Sequence, residues 1–249
     1  MLEAGEAIMD VRSKGFSTSQ KNDGSPVTDA DKKSENIVLS ALSKLEPEIP
    51  IISEENPDSH SSSGHQIFFL IDPLDGTREF LKSDKDASFT VNIGLISDGK
   101  PIMGLIYAPA QNRLFSGVVG NGSYEHKNDQ MRKIEVSHCH SSDLTALASI
   151  SHRDEETNHW LIKNEISKTI SIGSSLKFCL LAAGEANVYP RFGPTMEWDT
   201  AAGDAILRAA GGNVTHPDGH PFTYGKPGYK NGPFIACGGI TPEMLKAKK

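Results

Sequence analysis

Cysteine is scarce in this sequence, and the few cysteines are far apart. Cys139, Cys179 and Cys237 are the three found in 249 residues. An odd number without CxxC spacing argues against a disulfide scaffold and against a zinc site. We therefore expect buried, reduced thiols in a cytoplasmic protein.

Positive charge is also in short supply. Lys and Arg number 25 against 32 Asp and Glu, which gives a net charge of −7 at pH 7. An acidic chain without an extended basic block is not expected to bind long nucleic acids. A small anion can still bind if a cation first reverses the local field.

Long apolar runs are missing as well. No run approaches the roughly 18 residues that a membrane span needs, and the N-terminal MLEAGEAIMD lacks the basic start of a signal peptide. We expect a cytoplasmic protein, with peripheral contact to the inner face of the cell membrane left open. Nothing in the sequence distinguishes a monomer from a homodimer.

The periodicity of apolar residues changes near residue 142. Residues 1–142 predict two helices, one at the N-terminus and one from Thr28, followed by antiparallel strands. Thr28 with Asp31 three residues later resembles a capping box at the start of the second helix. The strand candidates are Ile67–Ile71, Phe89–Ser97, Pro101–Pro109 and Arg113–Gly120. Residues 143–249 alternate strand and helix patterns, which predicts an α/β second half. The stretch 56–66 is predicted to be a mobile surface loop in which His60 and His65 are solvated.

The stretch IDPLDGTREF, Ile71 to Phe80, places two aspartates three residues apart behind an apolar run. Pro73 fixes φ and predicts a turn at the end of the strand, and Gly76 adds backbone freedom. Such a turn can aim Asp72, Asp75 and the Leu74 carbonyl at one place. Hard cations such as Mg²⁺ take oxygen ligands of this kind, and backbone N–H groups at a following helix start attract phosphate.

Other carboxylates lie at the ends of predicted elements, beside apolar residues. Glu54 follows a short strand, Asp31 is in the first turn of the second helix, and Asp199 follows Trp198. Carboxylates in such places are costly unless they are paired. The alternative is that Asp72 and Asp75 are ordinary turn and helix-cap residues.

Three stretches together resemble the inositol-monophosphatase superfamily of Mg²⁺-dependent, lithium-sensitive phosphomonoesterases. They are Ser53–Glu55, Asp72–Thr77 and Trp198–Gly203. The resemblance implies an α+β fold, the layered αβαβα sandwich of the sugar-phosphatase type, and two or three Mg²⁺ ions. The metal ligands that it implies are Glu54, Asp72, Leu74 through its carbonyl, Asp75 and Asp199.

The resemblance also implies roles in catalysis. Gly76 and Thr77 would receive the reacting phosphate on their backbone amides. Thr77 and Asp31 would orient or deprotonate the attacking water, which a metal held by Glu54 and Asp72 activates.

The segment Ser171–Gly203 is similar to the CysQ-type 3′(2′),5′-bisphosphate nucleotidases of this superfamily, through GSSLKFC and YPRFGPT. The similarity implies hydrolysis of adenosine 3′,5′-bisphosphate, a by-product of sulfate transfer, to AMP. Ser174, Lys177 and Arg191 match the site for the second phosphate, and the similarity implies that Asp199 would be a further substrate contact. Lys and Arg are natural partners for phosphate.

Other interpretations stay open at this point. Lys177 and Arg191 could be solvated surface cations, in which case an inositol or other sugar monophosphatase is the alternative function. Tyr189 or Phe192 could stack on a base or belong to the core. A non-catalytic anion sensor would keep the fold without Mg²⁺-dependent phosphate release.

Overall fold

Helices and strands follow one another with short connections throughout the described chain. The computed structural model describes residues 1–20, 24, 26–82, 87–137, 144–149 and 154–240. The helices are α1 (Leu2–Lys14), α2 (Asp29–Leu45), α3 (Thr77–Phe80), α4 (Glu155–Lys163), α5 (Leu176–Ala182) and α6 (Ala201–Ala209). Among these helices, none is both long enough and apolar enough to cross a bilayer. Cys139 and the predicted boundary at residue 142 lie outside the described residues.

A seven-stranded sheet forms the larger layer, in the order β3-β4-β5-β6-β7-β8-β9. Its strands are β3 (Ile51–Ser53), β4 (Ile67–Asp75), β5 (Thr90–Ser97), β6 (Lys100–Ala108), β7 (Arg113–Val118), β8 (Gly122–Lys127) and β9 (Gln130–Ile134). Only β3 and β4 pair in parallel; the remaining neighbours pair antiparallel. The predicted antiparallel run is thus confirmed for β4 to β7, while β8 and β9 were not predicted. Four of the five β9 side chains are exposed, so this strand carries no apolar alternation.

A second sheet has five strands in the order β11-β10-β12-β16-β14. They are β10 (Thr145–Ser149), β11 (Lys168–Ile172), β12 (Val188–Arg191), β14 (Asn213–Thr215) and β16 (Phe234–Cys237). β10 is parallel to both β11 and β12, whereas β16 is antiparallel to β12 and β14. Short pairs complete the described strands, β1 (Thr18–Gln20) with β2 (Pro26–Thr28) and β13 (Thr195–Met196) with β15 (Lys230–Asn231).

The elements stack in five layers, because both faces of the large sheet are apolar. Along β4, Phe69 and Ile71 pack with α1 and α2, whereas Phe68 and Leu70 face the cluster that contains α5 and α6. A strand buried on both faces is expected to be continuously apolar, as IFFLI is. The five-stranded sheet lies beyond α5 and α6, and α4 packs on its far side through Leu161. The α+β, layered αβαβα fold is confirmed.

Three glycines allow α6 to pack closely against the large sheet. Gly94, Gly104 and Gly117 lie side by side on β5, β6 and β7. A Cβ on Gly104 would come within 2.1 Å of the Ala202 carbonyl oxygen, and one on Gly117 within 2.7 Å of the Ile206 Cα. The backbone of α6 therefore lies directly on the sheet, which fixes the position of Asp199 just before it.

Cysteine behaves as predicted where the structure describes it. Cys179 and Cys237 are both buried, and burial raises the pKa of the Cys179 thiol well above its usual value. These thiols fill the core and are not reactive groups.

Candidate active site

The motif of Asp72 and Asp75 is built on a β-bulge. β4 continues through Pro73 to Asp75, so the prediction that the strand ends before Pro73 is wrong. Asp72 lies opposite Asn92 and Asp75 opposite Thr90, so β4 has one more residue here than β5. A bulge accommodates a proline that cannot donate to the ladder, and it redirects the side chains on either side.

The turn after the bulge depends on Gly76. Its φ of 90° and ψ of 42° are left-handed values that glycine adopts without strain. Phe80 N then donates to the Gly76 carbonyl at 2.9 Å, which closes the short helix α3. Thr77, two residues after Asp75, is thus the first residue of a helix, as the sequence predicts.

Three carboxylates from separate segments meet at the end of this turn. Oxygens of Glu54, Asp72 and Asp199 lie within 4.8 Å of one another. Glu54 comes from the end of β3, Asp72 from the bulge of β4, and Asp199 from the 3₁₀ turn Glu197–Asp199 that precedes α6. The Asp199 Oδ2 accepts a 2.8 Å hydrogen bond from Met196 N, which orients it.

Asp75 lies beside this group, towards α5. Its Oδ2 accepts a 2.5 Å hydrogen bond from the backbone N–H of Ser175. The Leu74 carbonyl oxygen lies 3.4 Å from the Thr77 hydroxyl oxygen. The five predicted metal ligands therefore lie in one region. Within it, the carboxylates of Glu54, Asp72 and Asp199 are the closest to one another.

The clustered carboxylates need a cation to compensate their negative charge. Burial, followed by the charges of Glu54 and Asp75, raises the pKa of Asp72 well above its usual value. Burial and the charges of Asp75 and Glu54 do the same for Asp199. Buried carboxylates this close cannot all ionise without a compensating charge, and hard oxygen donors suit Mg²⁺. The donor set therefore fits a divalent metal.

Asp31 connects the second helix to the motif. Its Oδ2 accepts 2.7 Å hydrogen bonds from both the N–H and the hydroxyl of Thr28, which confirms the predicted capping box. Its Oδ1 accepts a longer one, 3.4 Å, from the Thr77 hydroxyl. Asp31 is 1% exposed, and burial raises its pKa.

Two buried cations line the opposite part of the same cleft. Lys177 Nζ donates to the Ser174 carbonyl at 2.5 Å and lies 5.1 Å from the centre of the Tyr189 ring. Arg191 donates from Nε to the Gly193 carbonyl and from a terminal nitrogen to the Pro194 carbonyl. Lys177 is 4% and Arg191 8% exposed, so the interpretation as solvated surface cations is wrong. Burial lowers the pKa of Lys177 to about 8, although the charge of Asp75 opposes this shift.

One cavity of about 550 Å³ joins the two parts. Its lining includes all of the predicted site residues except Asp31, Asp72 and Leu74. The predicted residues that line it are Glu54, Asp75, Gly76, Thr77, Ser174, Lys177, Arg191 and Asp199. Tyr189 also reaches the cavity, yet its ring packs edge-on against Phe178 and Phe234, so it belongs to the core.

Sequence reasoning missed three residues around this site. Ser175 bonds Asp75 through its N–H and Asn92 through its hydroxyl. Glu79 lines the cavity although it is 6% exposed. His60 stacks on Trp198 at 4.8 Å and lies 2.8 Å from the Ser53 carbonyl, so the prediction that it is solvated is wrong. Glu79 stands in the quoted motif; the contacts of Ser175 and His60 join segments that nothing in the sequence links.

Comparison with known proteins agrees with this geometry. The family model described as "Inositol monophosphatase family" matches residues 1–244. The chain is 43% identical over 224 residues to the "3′(2′),5′-bisphosphate nucleotidase CysQ" of Escherichia coli (strain K12), covering 89% of each. It is 44% identical to the protein of that name from Buchnera aphidicola, over 89% of this chain and 83% of the relative.

Solved structures give the same result. The crystal structure of CysQ from Bacteroides thetaiotaomicron, described as a bacterial member of the inositol monophosphatase family, superimposes with a TM-score of 0.80 and 35% identity. The match covers 96% of this chain and 94% of that one. This chain belongs to the inositol monophosphatase family.

Proposed function

We propose that this protein is a Mg²⁺-dependent 3′(2′),5′-bisphosphate nucleotidase. It removes the 3′-phosphate of adenosine 3′,5′-bisphosphate and releases AMP and phosphate. One observation carries the proposal: a single cavity has carboxylates at one part of its wall and buried Lys177 and Arg191 at another. A substrate with two phosphates needs both parts. The similarity to proteins named 3′(2′),5′-bisphosphate nucleotidase supports the same substrate.

Glu54, Asp72, Asp75, Asp199 and the Leu74 carbonyl would hold two or three Mg²⁺ ions. When bound, Mg²⁺ supplies a water of lowered pKa and neutralises charge on the leaving oxygen. The backbone amides of Gly76 and Thr77 hold the reacting phosphate, and positioning of this kind supplies much of the rate in phosphoryl transfer. Asp31 accepts from the Thr77 hydroxyl, which aligns that hydroxyl to orient a water.

Ser174, Lys177 and Arg191 hold the phosphate that does not react. The hydrogen bonds from Arg191 to two backbone carbonyls fix its guanidinium before substrate arrives. Preorganised charge costs little entropy on binding. A sugar monophosphate has no second phosphate for these cations, which makes an inositol monophosphatase the weaker candidate.

A phosphate-release panel with Mg²⁺ tests the assignment. We expect adenosine 3′,5′-bisphosphate to have a higher kcat/KM than inositol 1-phosphate and fructose 1,6-bisphosphate, with inhibition by Li⁺. The absence of Mg²⁺-dependent release from every substrate would instead indicate a binding protein that has kept the fold. Faster release from inositol 1-phosphate would favour the monophosphatase.

Arg191→Ala tests the second phosphate site. We expect the KM for the bisphosphate to rise about 10- to 100-fold, because a charge-assisted hydrogen bond contributes about 1.5–3 kcal/mol, while slow hydrolysis of a simple monophosphate persists. Arg132→Ala is a suitable control, since Arg132 is 60% exposed and pairs with Glu125 outside the cavity. Equal losses on both substrates would remove the support for a nucleotide bisphosphate.

A further inference from the structure

His60 lies between two of the segments that supply carboxylates to the predicted metal site. It belongs to the 3₁₀ helix Pro57–Ser61, which follows β3 and Glu54. Its Nε2 is 2.8 Å from the Ser53 carbonyl oxygen. Because a carbonyl oxygen only accepts hydrogen bonds, Nε2 carries the hydrogen and donates it. His60 is thereby attached to the residue immediately before Glu54.

The ring of His60 also packs on the segment that supplies Asp199. It stacks on the indole of Trp198, with ring centres 4.8 Å apart and ring planes at 23°. Trp198 is 4% exposed and immediately precedes Asp199 in the 3₁₀ turn Glu197–Asp199. Stacked aromatic rings stabilise a contact beyond the area that they bury. One imidazole therefore contacts the chain neighbours of two carboxylates that lie far apart in sequence.

Two further contacts fix the backbone on either side of this histidine. The Ser59 hydroxyl accepts a 3.2 Å hydrogen bond from the backbone N–H of Ser53. The Tyr229 hydroxyl donates to the Ser62 carbonyl, and the Tyr229 ring lies 6.3 Å from that of Trp198. The 3₁₀ helix is thus held against both of the segments that the histidine side chain joins.

A link between these segments matters because the carboxylates repel one another before a cation binds. Oxygens of Glu54, Asp72 and Asp199 lie within 4.8 Å of one another, and like charges this close disfavour ionisation of all three groups. If the segments were free to separate, part of the binding free energy of a metal would be used to bring its ligands together. A link that already exists lowers this cost.

We propose that His60 is a positioning residue that holds Glu54 and Asp199 together for a divalent cation, by joining Ser53 to Trp198. This inference rests on the proposed function, because it takes the two carboxylates to be Mg²⁺ ligands. It adds a role for the stretch 56–66, which raises the Mg²⁺ affinity of the site through the neighbours of the ligands.

Isothermal titration calorimetry with Mg²⁺ alone tests this role without catalysis. We expect His60→Ala to raise the Kd for Mg²⁺ about tenfold or more, since residues that orient metal ligands typically change metal affinity by about 10- to 100-fold. His60→Phe keeps a ring for the Trp198 stack, and His60→Gln keeps an N–H for the Ser53 carbonyl. Each should bind Mg²⁺ more tightly than His60→Ala and more weakly than wild type. Wild-type affinity in either variant would mean that one contact suffices and that His60 does not act as a link.

Kinetics separates positioning from a general loss of structure. In phosphate release from adenosine 3′,5′-bisphosphate, His60→Ala should need about tenfold more Mg²⁺ than wild type for its half-maximal rate. At saturating Mg²⁺, kcat and KM should stay within about threefold of wild type, because the reacting groups are unchanged. A variant that binds Mg²⁺ as wild type does but loses kcat would show a merely structural effect, and the inference would be wrong.

His65→Ala is the matched control, a second histidine in the same stretch. Its ring contacts the Ser62 hydroxyl and the Phe68 ring, and neither residue adjoins a predicted metal ligand, so the Kd for Mg²⁺ should remain that of wild type. If His65→Ala weakens Mg²⁺ binding as much as His60→Ala does, the link through His60 is not the cause. If wild type itself binds no Mg²⁺, the metal ligands of the proposed function are wrong, and the inference is wrong with them. Circular dichroism identifies any variant that misfolds, and the Phe and Gln variants then decide.

Discussion

At the scale of single residues, Asp204 shows how burial and pairing compete. It is fully buried in α6 and accepts hydrogen bonds from Arg208 Nε at 2.7 Å and from the Tyr224 hydroxyl at 3.0 Å. Burial raises the pKa of Asp204 to about 6, although the charge and hydrogen bond of Arg208 oppose the shift. The native state therefore binds a proton at Asp204 more tightly than the unfolded chain does.

This difference predicts a pH dependence of stability. The folded pKa lies above the unfolded value of 3.8, so the contribution of Asp204 is largest below pH 3.8 and declines as the pH rises through 6. Relative to Asp204→Asn, wild type should become less stable by about 2 kcal/mol between pH 4 and pH 7. Urea unfolding of both proteins in EDTA measures this difference. The distant active-site carboxylates contribute equally to the pH dependence of both proteins, so their contributions cancel. A difference that stays constant with pH would mean that Arg208 keeps Asp204 ionised throughout.

Residue identity predicted the part of the site that is local in sequence. Asp72, Asp75, Gly76 and Thr77 share one turn, and Asp31 caps its own helix, so short spacing rules apply to them. Glu79 was visible in the same motif, but its position opposite Gly173 depends on a contact 94 positions away. Pairings of this kind are properties of the fold, and no single stretch encodes them.

At the scale of elements, the close packing of α6 on the large sheet determines where Asp199 points. Gly104 allows the helix backbone to touch the sheet, since a Cβ there would lie 2.1 Å from the Ala202 carbonyl oxygen. A backbone atom cannot move aside as a flexible side chain does. We expect Gly104→Ala to lower the free energy of unfolding by about 3 kcal/mol, at the upper end of overpacking effects, and to reduce kcat through displacement of Asp199.

Gly232→Ala provides the matched control. Its nearest neighbour would be the His216 Cε1 at 3.9 Å, and its φ lies outside the left-handed range. Alanine there should change stability by less than about 1 kcal/mol. Urea unfolding compares the two variants, and a Gly104→Ala protein as stable as Gly232→Ala would show that α6 has room to shift.

The elements were more predictable than their arrangement. The pattern of apolar residues and the turn residues predicted β4 to β7, and the capping box predicted the start of α2. The glycine row across three strands was not predicted, because its members are 10 and 13 positions apart in sequence and meet only once the hairpins form. The short, exposed β9 carries no pattern to detect.

At the scale of the whole molecule, the two predicted halves share a core. One apolar cluster includes Ile52 and Phe68 from residues 1–142 together with Leu147 and Phe178 from residues 143–249. The carboxylate group also joins the halves, since Glu54 and Asp72 precede residue 142 and Asp199 follows it. Units that unfold separately share few such contacts, so we expect the halves to unfold together.

Magnesium provides the test of this coupling. Both tryptophans, Trp160 and Trp198, lie after residue 142, so their fluorescence reports the second half, whereas far-ultraviolet circular dichroism reports both. The two probes should give one coincident transition, and Mg²⁺ at 100 times its Kd should stabilise it by about 2.7 kcal/mol. Asp72→Asn should abolish most of this gain in both probes, although the change is in the first half. A fluorescence transition that separates from the circular dichroism signal, or that Mg²⁺ leaves in place, would show that the halves are independent and that the carboxylates of Glu54, Asp72 and Asp199 do not share a metal.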